Sequence, residues 1–202
     1  MKRLLILLLL PLVAFGASAK FRWGPTVGVN FSNSYWKQDL VQRDMLTGFN
    51  AGLMGEVMIP GIGFGFDFGL RYSMRGSRVH FGDQVVWSSM GIGTTNLYIH
   101  QIDIPVNLRF KWTRLDGFEN TVAPFAYAGP VFNIQVANSK CDAIERSGGS
   151  VGIQVALGAE LFRRWQVSFG YLWDVTYDMN TRQLDNFSSR LQGWFINAAV
   201  LF

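Results

Sequence analysis

The charged residues that could do chemistry in this chain recur at every second position of otherwise apolar stretches. The set comprises Glu56, Asp67, Arg71, Arg75, Asp103, Arg109, Lys111, Glu160 and Asp174. Alternation of this kind would place these charges on one face of a β-sheet. If that face is the inside of a closed sheet, the charges must be paired or solvated, because an isolated buried charge is costly. We interpret them as a structural network of ion pairs, with a polar conduit or proton path as the alternative. We expect Arg71 and Arg109 each to contact at least one of Glu56, Asp67, Asp103 and Glu160.

Acid–base catalysis would require one of the two histidines, His80 and His100. A hydrolase needs such an imidazole beside a serine or a carboxylate. Candidates near His80 in sequence are Asp83, Ser77, Ser88 and Ser89. Polar connections always contain such residues, and no GxSxG, HExxH, Walker or CxxC motif is present. We therefore predict that the protein is not an enzyme and has no catalytic residue.

Metal and cofactor sites are equally poorly supported. Two acidic pairs, Asp39 with Asp44 and Asp142 with Glu145, lack the spacing of an EF-hand loop. Cys141 is the single cysteine, which excludes an intramolecular disulfide. We predict no metal and no cofactor.

A few apolar residues stand in the polar connections between the patterned stretches. They are Tyr35, Trp36, Phe81 and Trp87, the last preceded by Val85 and Val86. They predict either a β-extension beyond the main sheet or a contact surface for a partner protein.

The element that holds Asp103 and Arg109 is the stretch Tyr98–Trp112. From Ile102 to Trp112 every second residue is apolar, and the residues between them include both charge signs. This period of two is typical of a strand with one apolar face. A strand of about 9–11 residues with one such face has the length that a tilted strand needs to cross a membrane.

Seven further stretches show the same alternation. The eight predicted strands are Phe21–Asn33, Thr47–Ile59, Gly63–Arg75, Tyr98–Trp112, Val122–Val136, Ser150–Phe162, Trp165–Thr176 and Leu191–Phe202. Val122–Val136 changes phase at Gly129-Pro130, which predicts a bulge. Pro105 predicts a missing ladder bond or a bulge within its strand. Long connections follow the first, third, fifth and seventh strands, as in antiparallel outer-membrane barrels.

The composition of the polar face separates a membrane barrel from a soluble barrel of the lipocalin type. A solvated face would be rich in Lys, Glu and Gln, whereas here it is mostly Gly, Ser, Ala and Asn, and only 16% of the chain is charged. Aromatic residues gather toward strand ends, as in interfacial girdles: Phe21, Trp23, Tyr72, Trp112, Trp165, Tyr171, Trp173 and Trp194. We predict an all-β, eight-stranded antiparallel transmembrane up-and-down β-barrel, monomeric, in contact with outer membrane lipid, with a filled lumen.

The first residues have the pattern of a cleaved secretory signal peptide. Lys2 and Arg3 precede the apolar run Leu4–Phe15, and Ala17-Ser18-Ala19 is an A-x-A cleavage site. We predict a signal peptide over residues 1–19 and a barrel domain over 20–202. Loss of Lys2 and Arg3 lowers the formal net charge from +4 to +2, so the basic balance does not argue for a nucleic-acid partner.

Three motifs resemble the outer-membrane β-barrel family typified by PorT, which is common in Bacteroidetes. They are IHQIDIPVNLR within Tyr98–Arg109, PFAYAGPVF over Pro124–Phe132, and GIQVALGAELFRRWQVSFGY within Ser150–Tyr171. Asp103 stands where the family often has Glu. The resemblance implies an outer membrane location and, through its namesake, an accessory role in protein secretion or envelope assembly. It implies no functional residues, and a narrow pore for small solutes stays open.

Overall fold

The computed structural model describes residues 20–36, 42–59, 61–80, 93–112, 120–138, 144–146, 148–177, 179–181 and 188–202. Its strands are β1 Lys20–Trp36, β2 Gln42–Met58, β3 Phe64–His80, β4 Thr94–Lys111, β5 Val122–Asn138, β6 Ile144–Arg146, β7 Gly149–Leu161, β8 Trp165–Asp174, β9 Met179–Thr181 and β10 Ser188–Val200. The predicted signal peptide, residues 1–19, lies outside the described residues. No helix within them is long and apolar enough to span a membrane.

Eight long strands form one closed antiparallel barrel, which confirms the predicted fold. They follow one another in the order β1-β2-β3-β4-β5-β7-β8-β10, and β10 pairs with β1 to close the ring. The short strands β6 and β9 pair with each other, and β9 also pairs with β10. The end that holds the start of β1, the end of β10 and the turn 162–164 is called the turn end. The opposite end is called the loop end.

The strands extend further at the loop end than the alternation predicts. β1 reaches Trp36 instead of Asn33, and β3 reaches His80 instead of Arg75. A 17-residue strand is about 56 Å long, or about 43 Å in height at a tilt of about 40°, against an apolar band of about 25 Å. The strand residues beyond the apolar band form β-pairs outside the membrane, where alternation of apolar and polar residues is not required. The predicted long first connection therefore shortens to residues 37–41.

The distribution of burial is the reverse of that in a soluble protein. Outward side chains such as Leu157, Leu70 and Phe66 are 65%, 56% and 50% exposed, whereas the inward charged residues Glu56 and Arg109 are 0% and 1% exposed. In water such an apolar outer surface would be strongly unfavourable. The outer wall is therefore suited to contact with lipid, and the residues on the polar face of each strand line the lumen.

The predicted bulge at Gly129-Pro130 is wrong. β5 pairs with β7 in one unbroken register from Val122 to Ile134, and the register shift instead lies at His100/Gln101 in the β4–β5 pairing. The phase changes because Phe125 and Tyr127 point into the lumen, where they are 2% and 7% exposed. The alternation was misleading here because the lumen contains apolar residues of its own.

Pro105 interrupts the ladder, as predicted, without shifting the register. β3–β4 pairing lapses between Phe68↔Val106 and Arg71↔Asp103, at the position where Pro105 would donate an N–H. β4–β5 pairing lapses in the same way beside Pro130, between Pro105↔Val131 and Leu108↔Ala128. Each proline therefore removes one hydrogen bond on a different side of β4 and leaves the strand order intact.

An apolar core lies within the lumen, beside polar side chains. It consists of Phe125, Tyr127, Val131, Ala156, Leu172 and Phe195. Gly170 allows this packing, since a Cβ there would lie 2.5 Å from both the Ala156 Cβ and the Phe195 Cζ. The barrel interior is thus a packed core with charged layers on either side.

Candidate functional site

Glu56 is the centre of the charged layer at the turn end. Its carboxylate accepts hydrogen bonds from Arg109 Nη1 at 2.8 Å, from Lys111 Nζ at 2.8 and 3.0 Å, and from Arg22 Nη2 at 2.5 Å. Gln166 Nε2 donates to it at 2.8 Å. Four donors around one buried carboxylate satisfy its acceptor capacity and hold it ionised.

Two further carboxylates complete this layer. Glu160 Oε2 accepts from Arg22 Nη2 at 2.5 Å and from Lys111 Nζ at 2.8 Å. Asp67 Oδ2 accepts from Arg109 Nε at 2.7 Å. The turn-end cluster therefore comprises Arg22, Glu56, Asp67, Arg109, Lys111, Glu160 and Gln166. Three cations face three carboxylates, so the cluster is electrically neutral when all six are ionised.

Arg109 also joins the turn-end cluster to the apolar core. Its guanidinium carbon lies 4.1 Å from the centre of the Phe125 ring and 5.5 Å from that of Tyr127. A cation over an aromatic face is attracted by the ring quadrupole, most strongly where water is excluded. The inward-facing Phe125 ring thus has the Arg109 guanidinium as its partner, a contact that the alternation alone did not indicate.

The expectation of a carboxylate partner is confirmed for Arg109 and is wrong for Arg71. Among the described residues no ion pair joins Arg71 to any of the four predicted carboxylates, and its Nη2 instead lies 3.5 Å from Gln154 Oε1. Its Nη1 lies 3.0 Å from the Asn197 amide oxygen when that amide is oriented toward it. Asp103 is the register partner of Arg71, but its carboxylate is held by Gln101 Nε2 at 2.8 Å.

A second charged layer lies toward the loop end of the lumen. Arg75 Nη1 lies 3.2 Å from Asp174 Oδ2, and Asn133 Nδ2 donates to Asp174 Oδ1 at 3.0 Å. Between the two layers, Asn50 Nδ2 donates to Asn30 Oδ1 at 2.9 Å. Over the described strands the lumen holds five cations (Arg22, Arg71, Arg75, Arg109 and Lys111) and five carboxylates (Glu56, Asp67, Asp103, Glu160 and Asp174).

Two separate free spaces lie in the lumen on either side of the turn-end cluster. A central cavity of about 40 Å³ is lined by residues that include Asp67, Arg71, Gln154 and Ser168. Such a space accommodates only a few water molecules. At the turn end a mouth of about 560 Å³ has Glu56 and Lys111 among its lining residues. The turn-end cluster lies between these two spaces.

The predicted contact surface is only partly on the outside of the barrel. Tyr35 is 43% exposed and its ring lies 5.0 Å from the Arg43 guanidinium carbon. Trp36 was predicted to belong to this contact surface, but it lies on the inward face of β1. It is 7% exposed and donates its Nε1 hydrogen to Ser34 Oγ at 3.1 Å. Phe81 and Trp87 lie outside the described residues.

The histidines form hydrogen bonds near the loop end. His80 Nε2 lies 3.0 Å from Asp44 Oδ2 and its Nδ1 lies 2.9 Å from Thr94 Oγ1. The Asp44 side chain is 61% exposed, so water competes for this chain of contacts. Ser77 is buried and donates to Asn33 Oδ1 at 2.8 Å. His100 Nδ1 lies 2.5 Å from the Tyr72 hydroxyl.

No group of three or more His, Cys, Asp or Glu side chains suited to a metal occurs in the described part of the chain. Asp39, Cys141 and Asp142 lie outside that part. Sequence reasoning left Arg22 and Gln166 out of the charge network. Both residues lie on the polar face of their strands, so the alternation of apolar and polar residues was sufficient to identify Arg22.

Comparisons with known proteins agree with this architecture. The OprG outer membrane protein of Pseudomonas aeruginosa superposes with a TM-score of 0.60 at 10% identity, over 92% of this chain and 96% of that chain. A major outer membrane protein of Thermus thermophilus gives a TM-score of 0.52 at 11% identity, over 90% of this chain and 99% of that chain. At these identities the likeness shows the fold alone. No curated protein matches the sequence.

The sequence itself matches one protein family over most of its length. Residues 15–176 match the family described as "Outer membrane protein beta-barrel domain". In such barrels the short turns face the periplasm and the longer loops face outward. This chain therefore belongs to the outer membrane protein beta-barrel domain family and is located in the outer membrane.

Proposed function

We propose that this protein is a monomeric, non-conducting outer membrane barrel with a structural or interaction role exerted from its loop end. The observation that carries this proposal is the neutral turn-end cluster, which lies across the lumen directly beside a packed apolar core. A protein evolved to pass solutes would keep a continuous wet path along the barrel axis. An eight-stranded barrel has an interior only wide enough for side chains to fill.

The side chains of the lumen support a closed interior. Arg109 and Glu56 are 1% and 0% exposed, and they are joined to each other at 2.8 Å. Moving either side chain to open a path would break this buried ion pair, and breaking a buried pair costs about 3–5 kcal/mol. The network therefore acts as a structural plug, and we assign no proton or solute transfer to it.

The loop end supplies the surface through which such a barrel would act. The strands extend beyond the apolar band on this side, and β6, β9 and β10 pair above it. We infer that this extension presents the loops to envelope or external proteins. No catalytic, metal or cofactor role is proposed for it.

Conductance measurements test the closed lumen. The purified protein, inserted into planar bilayers, should give no discrete current steps above those of protein-free membranes. A variant with Arg109→Ala, Lys111→Ala and Phe125→Ala, which removes the plug, should give steps or leak if it inserts. Regular steps from the wild-type protein would overturn the proposal and favour the narrow pore.

An accessory role in protein secretion or envelope assembly is the second candidate. It is favoured by the PorT-like motifs of β4, β5 and the β7–β8 hairpin. A strain that lacks the protein should then show reduced secretion, and the tagged barrel should co-purify with a secretion complex. Normal secretion in that strain would contradict this candidate and leave the closed-barrel proposal unaffected.

Export by a cleaved signal peptide belongs to the same proposal. The A-x-A site at Ala17-Ser18-Ala19 predicts that the mature chain begins at Lys20. The intact mass of protein purified from outer membranes should correspond to residues 20–202. A mass that retains residues 1–19 would contradict the cleavage.

A further inference from the structure

The mouth at the turn end is a concave space that opens along the barrel axis. Its volume is about 560 Å³, and the ion pair of Glu56 with Lys111, which belongs to the turn-end cluster, lines it. A space of this size falls in the range of small-molecule sites. A molecule that enters the mouth from the periplasmic side therefore meets the turn-end cluster as its floor.

Lys20 and Arg163 give the mouth two cations that the turn-end cluster does not match. The cluster is neutral by itself, because its three cations face its three carboxylates. Lys20 lies on the same inward face of β1 as Arg22, and both Lys20 and Arg163 line the mouth. Among the described side chains neither forms an ion pair, and Arg163 Nη2 donates to the neutral amide oxygen of Asn120. The mouth therefore has a surplus of two positive charges.

The turn that carries Arg163 has an uncommon backbone conformation. Phe162 and Arg163 have φ angles of 51° and 60°, a region that residues other than glycine seldom adopt. Two hydrogen bonds stabilise this turn: Arg22 Nη1 donates to the Arg163 carbonyl oxygen at 2.7 Å, and Arg164 N donates to the Leu161 carbonyl oxygen at 3.1 Å. The fold therefore fixes the position of Arg163 beside the mouth.

We propose that the turn-end mouth binds a small phosphate monoester from the periplasmic side. Such a molecule places two negative charges on one group, which matches the two surplus cations. Guanidinium and ammonium groups both form charge-assisted hydrogen bonds with phosphate oxygens, and the walls of a concave site concentrate their field. Met58 and Ile59 also line the mouth and offer apolar contact to the organic part. The site is independent of the loop end and of the closed lumen, so its failure would leave the proposed function unaffected.

Calorimetric titration measures this binding directly. The full barrel is placed in nanodiscs of zwitterionic lipid at about pH 8, where a phosphate monoester is doubly charged, and phenyl phosphate is the probe. K20Q/R163G should bind it at least about ten-fold more weakly than wild type, because each change removes one charge-assisted hydrogen bond. Glycine suits the positive φ at position 163, so the turn keeps its conformation. Equal affinity in K20Q/R163G and wild type would overturn the proposal.

The matched control removes two cations outside the mouth. R78Q/R164Q lowers the net charge by the same amount and should change the affinity by less than about two-fold, because salt screens distant charges. A loss as large as that of K20Q/R163G would show attraction by net charge alone and would contradict the site. If the double variant K20Q/R163G fails to fold, Lys20→Gln alone should still weaken binding, and unchanged affinity in it would overturn the proposal.

Further titrations test the class of ligand. Inorganic phosphate lacks the organic part and should bind at least about three-fold more weakly than phenyl phosphate. Acetate, with one charge, should bind at least about ten-fold more weakly at equal ionic strength. Equal affinity for inorganic phosphate would reduce the mouth to a counterion site. Loss of phenyl phosphate binding when phosphatidylglycerol is added to the nanodisc would assign the cations to lipid head groups; either result overturns the proposal.

Discussion

Replacing Glu56 by glutamine should destabilise the barrel severely, although the two side chains have nearly the same shape. The change removes one of the three negative charges of the turn-end cluster and leaves all three cations in place. Arg22, Arg109 and Lys111 all donate hydrogen bonds to the Glu56 carboxylate. The glutamine would therefore place its amide N–H₂, itself a donor, against these donors. One buried cation is then left without compensation.

The size of the effect follows from the burial of these partners. Arg109 and Lys111 are 1% and 4% exposed, so water cannot replace the missing carboxylate without opening the lumen. Breaking a buried ion pair by removing one partner costs about 3–5 kcal/mol. With an m-value of about 2 kcal/mol per molar urea, the unfolding midpoint should fall by about 1.5–2.5 M.

Urea unfolding in lipid vesicles measures this directly, through the fluorescence of the seven tryptophans and through heat-modifiability on gels. Asp44→Asn is the matched control, because it makes the same carboxylate-to-amide change in the exposed pair with His80. Exposed ion pairs contribute at most about 1 kcal/mol, so its midpoint should hardly move. The double variant Glu56→Gln with Lys111→Met should recover part of the loss, since it restores the charge balance. If Glu56→Gln lost no more stability than Asp44→Asn, the structural role of the cluster would be refuted.

Three further changes test other parts of the architecture, each by the same urea midpoint. Phe125→Ala should cost about 3–5 kcal/mol because it empties the lumen core beneath Arg109, whereas the lipid-facing Phe66→Ala should cost clearly less; equal losses would contradict the inward assignment of Phe125. Gly170→Val should cost about 1–3 kcal/mol because a Cβ there meets Ala156 and Phe195 at 2.5 Å, and a neutral result would show that the core is loosely packed. Leu157→Arg puts a charge on the lipid face and should cost about 2–4 kcal/mol, but an unchanged midpoint would argue that this face is not in lipid.

The alternation of the strands predicted the fold because a lipid-exposed wall is a strict requirement. Each outward residue must be apolar, so Ile102 to Trp112 shows the period of two without exception. The requirement ends where the membrane ends. Polar residues such as Ser34 and Ser77 therefore continue the strands although their pattern predicts loops.

The lumen was less predictable because alternation shows which side chains face inward but does not show which inward side chains bind each other. Parity identified most of the charged residues that face inward. It could not show that Asp103 is held by Gln101 while Arg71 reaches the amides of Gln154 and Asn197. It also misassigned Phe125 and Tyr127, since an apolar residue satisfies the same pattern whether it meets lipid or an inner core.

The turn-end cluster also explains how the barrel selects one way of closing. Hydrogen bonds between neighbouring strands are local, and a slipped register would preserve most of them. The cluster also joins strands that are not neighbours: Arg22 of β1 meets Glu160 of β7, and Lys111 of β4 meets Glu56 of β2 and Glu160 of β7. A shift of one residue in any of these strands would turn its charge toward lipid, at a cost of several kcal/mol. The polar lumen therefore specifies the register and the closure that the apolar wall, being uniform, leaves undetermined.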